Sequence, residues 1–182
     1  YALNYLLTSN GIDPQKDLTI EYKAESTEVA AVLASTPDAI GVLPEPFVTV
    51  AKSKNENLRD AISFGDEWKK INGEELVTGV LIVRNEFLEN NQGAFETFLS
   101  EYKASTEFTK SDLDAAAELV GKYEIVPPPV GKKAIPKTNI SLIAGEEMEA
   151  KLGAYLQILF DQDPKSVGGK LPGEDFYFMN QK

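Results

Sequence analysis

At 182 residues and 42% hydrophobic content, the chain is long enough to bury one sizeable core or two small ones. Its 18 basic and 29 acidic residues leave a formal charge of -11, which repels phosphate backbones and anionic lipid faces and excludes a basic nucleic-acid-tracking stripe. With no cysteine and no histidine, thiol nucleophiles, disulfides, imidazole bases and nitrogen- or sulfur-ligated metal sites are excluded; no metal or cofactor is expected.

The chain opens with YALNYLLTSNG, which has Leu3, Leu6 and Leu7 at helical spacing and Asn10-Gly11 as a stop, so a helix is predicted. LTIEY (Leu18 to Tyr22) alternates apolar and polar residues as a half-buried strand does. STEVAAVLAS, with Val29, Val32 and Leu33 on one face, predicts a helix. AIGVL (Ala39 to Leu43) returns to a strand-like run, PEPFVTVAKS to a helix, and Leu58 to Ile62 to a weaker strand. LVTGVLIV (Leu76 to Val83) is apolar and β-branched, as a central strand is. This alternation predicts a mostly parallel sheet covered by helices.

Beyond it, GAFETFLSEYKAS and SDLDAAAELVGKY predict two helices, the second with Ser111 and Asp114 in a capping-box pattern. The four prolines of IVPPPVGKKAIP predict an extended connector. EEMEAKLGAYLQILF predicts a last helix, and the aromatic tail around Phe176, Tyr177 and Phe178 is expected to pack onto the body.

The candidate site residues lie where predicted strands give way to helices, the usual ligand position in open parallel sheets. Pro44 ends the strand and Pro46 suits the first helical position, so Glu45 is held rigid at the helix start. It either stabilises the positive helix end or accepts hydrogen bonds from an amine, amide or amidine-like ligand group. Glu25, Ser26 and Thr27 are caps or ligand contacts in the same way. Thr78 and Gly79 mark a close approach by a ligand or another backbone, or a bulge. Trp68 reads as a packing residue.

The ordered series NYLLTSNGIDPQKDLTIEY, EVAAVLAS, AIGVLPEPFVTVA, EELVTGVLIVRNEFLENN, KKAIPKTNISLIAGEEMEAKLGAYLQIL and PKSVGGKLPGEDFYF resembles the solute-binding subunits of bacterial ABC importers. The resemblance is to the nitrate, sulfonate, taurine and thiamine-precursor-pyrimidine group. It implies an α/β, type II periplasmic-binding-protein fold with two lobes around a ligand cleft. Residues 1–75 would form the second lobe, and 76–182 the crossover strand and C-terminal helical part of an incomplete first lobe.

The resemblance further implies a non-enzymatic substrate-binding component that delivers a small solute to a membrane permease and ATPase, outside the cytoplasm, in the periplasm or as a cell-surface lipoprotein. Family members open with a signal peptide and the first lobe's strands. Neither is recognisable here, so a C-terminal portion that dimerises or pairs with an N-terminal fragment is expected. The alternatives are a ligand-sensing regulatory domain of the same fold and, less compatible with the lack of His and Cys, an enzyme. With only Arg59 and Arg84 there is no arginine clamp for a sulfonate or nitrate, and the acidic Glu45 suits a solute with donor groups, an aminopyrimidine-like or other nitrogen-bearing one.

Overall fold

The computed structural model describes residues 1–179; the last three residues of the expected 76–182 part lie outside the described residues. Its α-helices are, in order, α1 (Ala2–Ser9), α2 (Ser26–Ser35), α3 (Phe47–Lys54), α4 (Phe64–Asn72), α5 (Asn85–Asn90), α6 (Gln92–Ser111), α7 (Leu113–Lys122), α8 (Pro128–Ala134) and α9 (Glu146–Gln162). Short 3₁₀ turns cover Ile135–Lys137, Pro164–Val167 and Glu174–Phe176.

The expected α/β architecture is overturned. The structure is 59% helix, and among the described residues there is no strand and no sheet, so the predicted parallel-sheet lobe is not formed. Residues 18–22, 39–43, 58–62 and 76–83 carry the right residue types for strands but run as irregular chain. Strand propensity describes how well a side chain fits a pleated, half-buried surface, and without a neighbouring strand it is not realised. Ile40 at 94% exposure and Ile82 at 83% have no such surface to pack on.

The chain forms two compact units: one of residues 1–21, 60–82 and 143–182, the other of 22–59 and 83–142. Both draw on chain from either side of residue 75.

The first unit is organised by Trp68, which α4 buries to 1% exposure. The sequence stops α4 at both ends. The Ser63 hydroxyl accepts the Asp66 N–H at 3.3 Å, and Gly73 closes the helix at φ +75°, a conformation that costs glycine little. Asp66 and Glu67 near its start and Lys69 and Lys70 near its end oppose the helix dipole. The ring of Tyr5, from α1, lies 4.8 Å from that of Trp68, and the ring of Tyr155, from α9, lies 5.4 Å away. Tyr5 Oη donates to Asn72 Oδ1 at 2.5 Å, so the phenol keeps a partner at the edge of this core. Helix α9 starts with Glu146, Glu147 and Glu149 in its first turn; Lys151, one turn on, meets Glu75 Oε2 at 2.8 Å.

In the second unit α7 packs on α8, α6 on α7, α3 on α8 and α2 on α3. Ala116, Ala117 and Ile135 are its buried centre, with Phe108, Leu113 and Val120 against them. A small residue sets the closeness of α7 and α8 where they meet: a Cβ on Gly121 would lie 2.7 Å from Pro128 Cδ. Gly41 is similarly constrained, because a Cβ there would approach Leu33 Cδ1 to 2.9 Å and Val29 Cγ1 to 3.0 Å. Val29 and Leu33 thus use the face that their spacing in α2 predicts.

Two local expectations are also corrected. The proline-rich segment is not an extended connector, since Pro128 and Pro129 occupy the first positions of α8, where a helix requires no N–H donors. At α7 the cap is Asp112, whose Oδ1 accepts the Ala115 N–H at 3.1 Å, and not Ser111. Ser111 instead ends α6.

Candidate functional site

The Pro44-Glu45-Pro46 turn belongs to the second unit, ahead of α3. Pro46 is the residue just before the helix, one position earlier than its sequence context predicts. Pro44 still contributes, because its carbonyl accepts the Val48 N–H at 3.2 Å. Glu45 Oε2 accepts the Thr49 N–H at 3.1 Å, satisfying one of the free donors at the start of α3. The helix-stabilising role that the sequence left open is therefore observed.

A second charge stands beside it. Lys137 Nζ, at the end of the 3₁₀ turn that follows α8, lies 3.8 Å from Glu45 Oε1. That separation is an ion-pair distance, longer than a hydrogen bond. The Glu45 side chain is only 10% exposed, whereas that of Lys137 is 48% exposed, so the pair has a buried acceptor end and a solvent-facing donor end. A carboxylate held this far from water needs a counter-charge, and Lys137 supplies it.

Thr49 completes the group. It is 6% exposed, and its hydroxyl oxygen is shut off from solvent without a hydrogen-bond partner. Neither Thr49 nor Lys137 stands out in the sequence. The packing of α3 on α8 brings Lys137 to Glu45 from far along the chain, and no local pattern records that pairing.

The other predicted residues are placed as follows. Glu25 precedes α2 in extended conformation, and Ser26 and Thr27 are its first two residues; no side chain caps this helix. Glu25 and Thr27 are exposed and Ser26 is half-buried. Thr78 and Gly79 belong to the first unit and are exposed. Among the described residues, a Cβ on Gly79 would meet no atom within 4 Å, so none of their backbone approaches there.

In the first unit, Lys151 gathers carboxylates: Glu75 Oε2 at 2.8 Å, and Glu74 and Glu147 each at 3.6 Å. Its hydrogen bond to Glu75 raises the lysine pKa and lowers that of Glu75. This arrangement fastens α9 to the segment after α4, with its charge already shared among protein groups. No helix among the described residues is long and apolar enough to cross a membrane.

No family model matches the chain, and no curated protein matches it. Among solved structures it is similar to the crystal structure of an ABC transporter from Parabacteroides distasonis, with a TM-score of 0.75 and 20% sequence identity. The likeness covers 99% of this chain and 62% of that one, so the chain spans about three-fifths of its neighbour's length. At this identity the likeness establishes a shared fold with an ABC-transporter protein.

Proposed function

We propose that this chain is the solute-binding component of an ABC importer, capturing a small solute and passing it to a membrane permease whose transport is driven by a separate ATPase. The observation that carries the reading is the fold likeness to an ABC-transporter protein across 99% of the chain. Within that role the chain binds its solute without transforming it, and it works outside the cytoplasm, in the periplasm or as a cell-surface lipoprotein. Glu45 is the solute-facing residue we assign. Its rigid backbone and buried position mean that little entropy is lost when it meets a ligand.

A thermal-shift screen of small nitrogen-bearing solutes tests this. At least one solute should raise the melting temperature of the chain in a concentration-dependent way. Glu45→Gln, which retains an oxygen for the Thr49 N–H, should weaken that solute about tenfold or more, roughly 1.4 kcal/mol. Unchanged affinity in the variant would remove Glu45 from the site, and a screen with no responding solute would contradict the function.

A further inference from the structure

We infer that residues 76–82 form an interaction surface for a second copy of this chain, the two copies pairing strand to strand in the antiparallel sense about a two-fold axis at Gly79. The inference is independent of the solute-binding reading.

The segment has what a sheet edge needs and lacks only a partner. It runs without a turn or bend, and among the described residues none of its backbone N–H or C=O groups makes a hydrogen bond. Its side chains are apolar apart from Thr78, and Val80, Leu81 and Ile82 stand in solvent at 59%, 48% and 83% exposure. A row of unpaired donors and acceptors beside exposed apolar side chains is a template for a strand from another chain.

Three features select a second copy as that chain. The first is charge: residues 76–82 carry none, in a chain whose net charge of -11 makes two copies repel over the rest of their surface. The second is self-complementarity, which a two-fold interface requires. With Gly79 opposite itself, Thr78 faces Val80, Val77 faces Leu81 and Leu76 faces Ile82 of the other copy, cross-strand pairs of the kind that stabilise sheets. The close backbone approach that Thr78-Gly79 suggests in the sequence is then made from outside. A Cβ on Gly79 would meet no described atom within 4 Å, so the position is open to it.

The third feature sets the sense of pairing. Glu74 and Glu75 precede the segment and share Lys151 with Glu147, which leaves negative charge in excess there. Parallel copies would place these carboxylates about 5 Å from their equivalents. In the antiparallel pair the two Glu75 residues lie about 27 Å apart, beyond a screening length of about 8 Å.

The chain has no cysteine, so one introduced thiol reports on one position. In the full chain Gly79→Cys should give a disulfide-linked dimer under mild oxidation, because directly opposed residues stand about 4.5 to 5.5 Å apart at Cα. Ser100→Cys, exposed on α6, should link about tenfold more slowly or not at all. Gly79→Lys and Gly79→Glu should each weaken the dimer about fivefold or more in analytical ultracentrifugation, by setting like charges opposite one another. Mixing the two variants should restore it, a rescue that misfolding cannot produce. Linkage of Gly79→Cys no faster than that of Ser100→Cys, or charge variants that dimerise like the wild type or are not rescued by mixing, would overturn the inference. A wild-type chain that stays monomeric would overturn it as well, leaving the segment to a different polypeptide.

Discussion

Two side chains far from one another in the sequence show how burial sets charge behaviour residue by residue. Glu45 sits in a nearly closed position, with the Thr49 N–H on one carboxylate oxygen and Lys137 beside the other. Tyr155, in the Trp68 cluster, has no such support for a phenolate, and burial raises its pKa above the ordinary 10.0. The unfolded chain therefore releases this proton at a lower pH than the folded one. The stability that Tyr155 contributes is whole below the ordinary tyrosine value and is lost as pH rises toward the folded one. Urea midpoints measured from about pH 9 to about pH 11 should fall for the wild type, and fall less steeply for Tyr155→Phe. Equal slopes would contradict a buried phenol. At this scale the sequence was partly legible: Trp68 reads as a packing residue and Glu45 as a fixed carboxylate. Lys137 was invisible, because only tertiary packing makes it a neighbour.

At the scale of elements, helices with a clear apolar period and a stop signal were readable: α1, α2, α3, α6, α7 and α9 all form where the spacing places them. The failures have specific causes. Strands depend on partners that a single stretch of sequence does not contain, so LTIEY, AIGVL and LVTGVLIV form none here. Helix α8 was missed because prolines that break a helix interior are acceptable in its first turn. Helix α4 went unread although Phe64, Trp68 and Ile71 stand at helical spacing between the stop signals Ser63 and Gly73. The cap of α7 gives a direct check on this kind of reading. Asp112→Ala should cost about 1 kcal/mol in urea denaturation, while Ser111→Ala should change stability by less than about 0.5 kcal/mol. The reverse order would restore the Ser111 cap that the sequence pattern suggests.

At the scale of the whole molecule, the chain shares its fold with an ABC-transporter protein while spanning about three-fifths of that neighbour, with 62% of it covered. Each unit leaves large apolar side chains in solvent, Ile62, Val80, Leu81 and Ile82 in one and Tyr22, Ile40 and Val42 in the other. Exposed apolar groups of this kind mark interaction surfaces, and the expected consequence is self-association. Light scattering of the purified chain should give a mass of about twice 20.0 kDa at micromolar concentration, and a strictly monomeric mass would count against that expectation. The central claim, capture of a small solute through Glu45, is tested most directly by equilibrium dialysis of the chain against a soluble small-molecule extract, with mass spectrometry of what it retains. The wild type should concentrate at least one small solute that Glu45→Gln concentrates about tenfold less; retention of nothing by the wild type, or equal retention by the two proteins, would contradict it.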